Sequence, residues 1–197
     1  METGVNISFK IPAWLDKICV WPVMACRRMK YGYSFRRINL GEGEWTILDQ
    51  EDYYRFNHFK WSAACNGKHI YAARIIRKME FGRIKTMYLH REIMQAPKGL
   101  LVDHKNNDGL DNRRANLRLA THSQNGCNRP RKKNGSSRFK GVIFLKDRKR
   151  WSARLKKNGK HIFLGNFKNE IDAARVYDEA AKQYHGEFAC LNFPKGN

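Results

Sequence analysis

The residues equipped for chemistry are concentrated in one short block, 103–125. Asp103 and His104 stand together at the end of an apolar run, Leu100-Leu101-Val102, that reads as a strand. A polar stretch from Lys105 to Arg114 follows, containing Asp108-Gly109 and Asp111-Asn112. Asn116-Leu117-Arg118-Leu119-Ala120 reads as a second strand and leads into Thr121-His122-Ser123-Gln124. That last run is a capping box, Thr121 at the N-cap and Gln124 three residues on, and it predicts a helix start. The helix carries Asn125 in its first turn and Asn128 one turn later on the same face. A carboxylate, an imidazole and carboxamides therefore meet where two strands join a helix. Phosphodiester hydrolysis uses that set. Asp103 and Asn125 offer oxygen ligands to a hard divalent cation and leave positions for water and phosphate. The imidazole of His104 can take a proton from attacking water. The cation would offset charge on the phosphate and the leaving oxygen.

Each residue also has a plainer use. An Asp-His pair at a strand end is more often a hydrogen-bonded surface feature than a site, and Asn125 alone would be a capping or turn residue. His122 rivals Asn125 as a ligand, but at the first helical position it points elsewhere. The seven histidines (58, 69, 90, 104, 122, 161, 185) contain no helical His-x3-His pair. The five cysteines, Cys19, Cys26, Cys65, Cys127 and Cys190, contain no C-x2-C pair. Free thiols and no zinc ribbon are expected.

The elements around this block read as α+β. Arg37–Leu40 and Trp45–Leu48 flank a Gly-Glu-Gly turn as a hairpin, and Asp49 is a plausible N-cap for a short helix. Asn66-Gly67 joins two further strands, Trp61–Cys65 and Lys68–Ile76. Ile84–Leu89 is another strand, and His90–Ala96 a helix stopped by Pro97. Residues 126–138 are basic and rich in Gly, Ser and Pro, the composition of a linker that could also track phosphates. Three strands follow: Phe139–Leu145, Arg150–Lys156 and one bearing Ile162 and Leu164. The second alternates, with Trp151, Ala153 and Leu155 on one face and Arg150, Ser152, Arg154 and Lys156 on the other. His161 and Phe163 join the cationic face. A helix capped by Asn169 presents Ile171, Ala174, Tyr177, Ala181 and Tyr184 to the opposite face.

Charge follows the same division. The 197 residues carry 39 Lys and Arg against 18 Asp and Glu, a formal +21. Residues 1–102 hold 17 basic and 9 acidic residues (+8), 103–125 hold 4 and 3 (+1), and 126–197 hold 18 and 6 (+12). Within 126–168 there are 15 basic residues and a single acid, Asp147. A polyanion is the partner such a charge implies. The B-DNA major groove admits a β-ribbon, which favours duplex DNA over RNA for a cationic sheet face. No apolar run approaches the ~18 residues of a spanning helix, so no integral membrane protein is expected. Ile18–Cys26 ends in Val-Met-Ala-Cys, faintly like a lipoprotein cleavage site. Asp16, Pro22 and Arg27-Arg28 argue against secretion and for an irregular extension over 1–34.

Two resemblances sharpen these readings. Lys140-Gly141-Val142, Trp151-Ser152-Ala153-Arg154, Phe163-Leu164-Gly165, Ala173-Ala174-x-x-Tyr177-Asp178-x-Ala180-Ala181 and Leu191-Asn192-Phe193 resemble the plant APETALA/ethylene-response-factor DNA-binding domain. The likeness implies that Lys140, Arg154, Lys156, His161 and Phe163, with Arg150 beside them, contact the major groove. Ile143 and Leu145 stand where plant members place arginines and Arg154 where many have Glu, so the plant recognition sequence is not implied. His90-Arg91, Val102-Asp103-His104, Asp111-Asn112-x-x-x-Asn116-Leu117-Arg118 and Gln124-Asn125 resemble HNH endonucleases of the ββα-metal class in their His-Asn-Asn form. That likeness implies His104 as general base and Asp103 and Asn125 as ligands of one divalent cation. It further implies Asn116 as the residue fixing the loop and His104, and Arg118 or Arg114 as a phosphate clamp. The implied cation is magnesium, with manganese as the alternative.

The expected architecture is α+β: an extension (1–34), a ββα-metal HNH nuclease domain (35–129), a basic linker (130–138), and a three-stranded antiparallel sheet packed on one helix (139–194). The expected activity is metal-dependent cleavage of double-stranded DNA, with Arg129, Arg131, Lys132 and Lys133 of the linker region adding phosphate contacts. The expected setting is a phage or homing-endonuclease-like mobile element acting in the host cytoplasm, without a membrane or obligate protein partner. The competing reading is a non-catalytic DNA-binding regulator that retains the nuclease fold.

Overall fold

The computed structural model describes residues 12–67, 69–77, 84–131, 135–157 and 159–194. The chain is α+β and divides into two compact units, one of residues 1–89 and 110–114, the other of 90–109 and 115–197. No helix among the described residues is long and apolar enough to cross a membrane.

The first unit begins with α1 (Ala13–Tyr31), which corrects the expectation of an irregular extension for those residues. The sequence hides this helix because Pro22 lies inside it and Pro12 at the N-cap provides no side-chain cap. Tertiary anchors compensate. The Asp16 carboxylate accepts from Arg36 Nη1 at 2.7 Å and from the Tyr54 hydroxyl at 2.7 Å. The Arg36 hydrogen bond and charge hold that carboxyl below its ordinary range. Gly32, in the left-handed region, closes the helix by donating its N–H to the Arg28 carbonyl at 2.9 Å.

Strands β1 (Arg36–Gly41) and β2 (Glu44–Leu48) form the hairpin predicted around Gly41-Glu42-Gly43. Ile38, Leu40, Thr46 and Leu48 face inward, with Leu48 fully buried. In α2 (Gln50–Phe56) Asp49 occupies the N-cap but makes no side-chain cap. Its carboxylate accepts the Arg114 backbone N–H instead, at 2.8 Å. The polar stretch 110–114 is thereby ordered. Ile47 exchanges backbone hydrogen bonds with Leu110 and Asn112, and the Asn112 amide donates to Thr46 Oγ1 at 2.7 Å. Strands β3 (Ser62–Asn66), β4 (His69–Arg77) and β5 (Ile84–Tyr88) complete the unit as an antiparallel sheet of order β3-β4-β5.

Helix α3 (Leu89–Ile93) is shorter than expected. The Ala96 N–H turns back to the Arg91 carbonyl, and Gln95 takes a positive φ of 46°, which ends the helix before Pro97. The second unit then builds an antiparallel hairpin of β6 (Leu101–His104) and β7 (Leu117–Ala120), followed by α4 (His122–Asn128). Both halves of the Thr121/Gln124 capping box are formed. The remainder is a sheet of β8 (Val142–Leu145), β9 (Arg150–Lys157) and β10 (Lys160–Phe167), covered by α5 (Glu170–His185) and a closing 3-10 turn (Gly186–Phe188).

Ala153 and Leu155 of β9 pack against Ala173, Ala174, Tyr177 and Ala181 of α5, so the predicted alternation places the core as expected. The small alanines bring the helix close to the sheet. Asp178, buried on α5, accepts the N–H groups of Asn192 and Phe193 at 2.8 Å each and fastens the C-terminal segment. Gly141 is the tightest point. Its φ is +74°, and an added Cβ would stand 2.0 Å from the Tyr177 ring and 2.8 Å from the Arg154 carbonyl.

Gly141→Ala therefore combines overpacking with a disfavoured backbone conformation. A loss of about 3 kcal/mol is expected from those two penalties together. Urea denaturation checks it, and a variant as stable as wild type would mean that Tyr177 is free to move aside.

Candidate active site

Asp103 and His104 end β6, and both are buried, at 5% and 6% exposure. β7 pairs with β6 so that Asp103 lies opposite Arg118 and His104 opposite Leu117. Directly opposed residues share a face, and the two charges meet. Arg118 Nε donates to Asp103 Oδ2 at 2.8 Å, and Nη2 lies 2.6 Å from the same oxygen. From α4, Asn128 Nδ2 donates to Asp103 Oδ1 at 3.0 Å and to the His104 carbonyl at 2.9 Å. The carboxylate is thus held from two sides.

The loop between the strands is clasped by asparagines. Asn116 Oδ1 accepts the Asn106 N–H at 3.1 Å, and Asn116 Nδ2 donates to Asn106 Oδ1 at 2.9 Å. The Lys105 N–H reaches the Asn116 carbonyl at 2.9 Å, and the Asn107 N–H the His104 carbonyl at 2.9 Å. These bonds fix the turn on which the histidine backbone rests. Asn125 lies in the first turn of α4, half-buried, its N–H in the helical bond to the Thr121 carbonyl.

Among the described residues no three or more His, Cys, Asp and Glu side chains cluster as a metal site. A hard divalent cation does not require such a cluster, because it binds one or two carboxylates and fills its shell with amide, water and phosphate oxygens. A carboxylate offers about four acceptor sites. The two Arg118 nitrogens occupy Oδ2 and Asn128 occupies one site on Oδ1, which leaves Oδ1 able to take one more partner. The donor set fits the cation.

Several expected contacts fall elsewhere. Arg118 is 8% exposed and committed to Asp103, so it cannot clamp phosphate from solvent. Arg114 grips the buried Asp52 with two 2.7 Å hydrogen bonds and is likewise engaged. Lys140 turns away from the cationic face. Its ammonium donates to the Cys127 carbonyl at the end of α4, and burial lowers its pKa. Lys132 and Lys133 lie outside the described residues. Arg129 and Arg131 are exposed, with Arg131 Nη1 donating to the Ser137 carbonyl at 3.0 Å.

On the sheet the face opposite α5 exposes Arg154, Lys156 and His161, with Arg150 half-buried at its edge. Phe163 is 59% exposed and Ile143 45%. Arg154 pairs in register with Phe163, and its Nε donates to Ser152 Oγ at 3.3 Å. No acidic residue lies on β8, β9 or β10.

One participant escaped the sequence, and a second, His90 of the His90-Arg91 motif, is placed by the fold. Asn128 was visible only as a neighbour of Asn125 along the helix, and its hold on Asp103 needed the fold. His90, on α3, is buried and packs edge-to-face on His104 with ring centroids 5.2 Å apart. Burial first, then the charges of His104 and Arg91, push its pKa down to about 3 from an ordinary 6.5.

Residues 71–127 match the HNH endonuclease family. An uncharacterised HNH endonuclease of Acanthamoeba polyphaga mimivirus is 30% identical over 159 residues, 80% of this chain and 80% of that protein. Protein 3.8 of Escherichia phage T7 is 33% identical over 94 residues, 47% of this chain and 76% of the phage protein. APETALA2-like protein 2 of Oryza sativa subsp. indica is 46% identical over 61 residues, 30% of this chain but only 14% of the plant protein.

The unfolded chain protonates His90 below its ordinary 6.5, whereas the folded chain refuses that proton until about 3. Stability from the neutral ring is complete above 6.5 and declines as pH falls through that window. Between pH 7 and pH 5 this linkage removes about 2 kcal/mol, at about 1.4 kcal/mol per pH unit below 6.5. Denaturant titrations at the two pH values should find His90→Leu losing less than wild type by roughly that amount. Equal losses would show that His90 is protonated in the fold.

Proposed function

The chain belongs to the HNH endonuclease family, and from that premise we propose that it hydrolyses duplex DNA with His104 as general base and a divalent cation at Asp103. The observation that carries this reading is the buried Asp103-His104 pair at the end of β6, with Asn128, among the described residues, as the one partner of Asp103 Oδ1.

In the mechanism, the His104 imidazole takes a proton from water as the water oxygen bonds to phosphorus. The phosphorus–oxygen bond to the leaving strand breaks, giving a 5′-phosphate and a 3′-oxygen that is protonated from solvent. Asn116, through its clasp on Asn106, keeps the β6–β7 turn from shifting the base. Asp103 would hold the cation together with Asn125. When bound, a magnesium-type cation, or manganese in its place, neutralises charge on the scissile phosphate and the leaving oxygen. His90, neutral across the physiological range, adds no second positive charge beside His104.

DNA would be gripped by the exposed sheet face, with Arg150, Arg154, Lys156, His161 and Phe163 in the major groove. Arg129 and Arg131, continuing into Lys132 and Lys133, would follow the phosphates. Lys140 is left out of this set, because its ammonium is turned into the protein. In domain terms, 35–129 would cut, 139–194 would read, and 130–138 would join them inside the host cell.

His104→Ala should lower nicking of supercoiled plasmid in Mg²⁺ by about 10²–10⁴-fold, the usual worth of a positioned general base. Binding to the same DNA in EDTA should stay unchanged. Cutting at the wild-type rate, or a parallel loss of binding, would remove His104 from the mechanism.

A further inference from the structure

We infer that the C-terminal module completes the nuclease site, with Phe188 and the Glu187 backbone holding Arg118 while Arg118 holds Asp103. Arg118 is then a positioning residue for the cation ligand. The inference rests on reading Asp103 as that ligand.

An arginine has donors in a planar fork and two faces, and here nearly all of them are used. Nε and Nη2 address Asp103 Oδ2. Nη1 donates to the Glu187 carbonyl in the 3-10 turn after α5. The guanidinium lies over the Phe188 ring, 4.0 Å from its centroid, and the ring is 7% exposed. The residue is thus a strut, one end on the candidate metal ligand and the other on a segment 69 residues away in sequence. With Oδ2 fixed by Arg118 and Oδ1 by Asn128, the carboxylate plane has one orientation, and the remaining acceptor site of Oδ1 has one direction.

Neighbouring contacts couple the same two parts. The Lys140 ammonium, at the start of the sheet module, donates to the Cys127 carbonyl in the last turn of α4. Cys127 Sγ lies 3.4 Å from His185 Nδ1, at the end of α5. The sheet's helix, its closing turn and the residue leading toward its first strand therefore all touch the ββα element that carries the chemistry. Residues 115–197 and 90–109 form one compact unit, so the boundary between cutting and reading expected near residue 130 is not a boundary in packing. A DNA-reading module that served only as a tether would need none of these contacts.

The test uses the full chain. Arg118→Lys keeps the charge but loses the fork, and Phe188→Leu keeps bulk without the ring face. Neither touches the cationic sheet face. Each should weaken Mn²⁺ binding, read by paramagnetic titration without DNA, by about tenfold or more, the usual effect of removing a residue that orients a ligand. Cleavage kcat should fall with it, while KM and DNA affinity in EDTA stay near wild type. Phe188→Tyr, which keeps the ring, should restore both, and thermal melting verifies folding of each variant. Unchanged Mn²⁺ affinity in folded variants would overturn the inference alone. DNA affinity falling in step with cleavage would overturn it too, by placing these residues in the DNA grip. A wild-type chain that binds no Mn²⁺ would overturn the underlying reading of Asp103, and this inference with it.

Discussion

A carboxylate 5% exposed to solvent, Asp103, is the constraint around which the second unit is organised. Burying it unpaired would cost several kcal/mol, and removing one member of a buried pair typically costs about 3–5 kcal/mol. The fold answers with Arg118 directly across the hairpin and Asn128 from the following helix. A buried ion pair is weak evidence for net stability. What it supplies here is geometry. Each partner limits where β6, β7 and α4 can sit, and the histidine next in sequence inherits that placement.

The chain's +21 charge is accordingly not one population of cations. Arg36 is paired with Asp16, Arg113 with Asp111, Arg114 with Asp52 and Arg118 with Asp103, all internal tasks. Lys140 is turned inward as well. Arg154, Lys156 and His161 stand exposed on the face of the sheet away from its helix. In the near-neutral block 103–125, Asp103 and Asp111 are matched by Arg118 and Arg113, while strands β8, β9 and β10 carry exposed cations and no acid. Long-range attraction for a polyanion and short-range organisation of a site are thus handled by different residues.

Much of this was legible in the sequence wherever a local rule governs. The capping box at Thr121 predicts α4 because its two hydrogen bonds close within four residues. The β9 alternation predicts the sheet's two faces because the strand period is fixed. The hairpin turns and helix caps predicted the α+β class on the same basis. What stayed hidden depends on partners distant in sequence. The anchor of α1 is Asp16 meeting Arg36 and Tyr54, which no window around Pro22 contains. Arg118 and Lys140 read as DNA contacts because the two resemblances carry those positions over as contacts. Only a carboxylate opposite one, and a helix-end carbonyl beside the other, redirects them. Asn128 lacked a partner in sequence until β6 brought two acceptors to it.

The ββα element is too small to hold itself together. Two four-residue strands make a hairpin of marginal stability, and a seven-residue helix is well short of the ~12–15 residues at which isolated helices become viable. Small elements of this kind are commonly secured by a structural metal or disulfides. All five cysteines are free, so no disulfide does so here. Protein contacts fill the gap. Lys140 caps the end of α4, His185 meets Cys127, and Phe188 with the Glu187 carbonyl secures Arg118. The sheet and helix that present the cationic face are therefore also the support on which the carboxylate-histidine pair depends. The same contacts fix the distance between the cationic face and the Asp103-His104 pair, which a free linker of basic residues could not do.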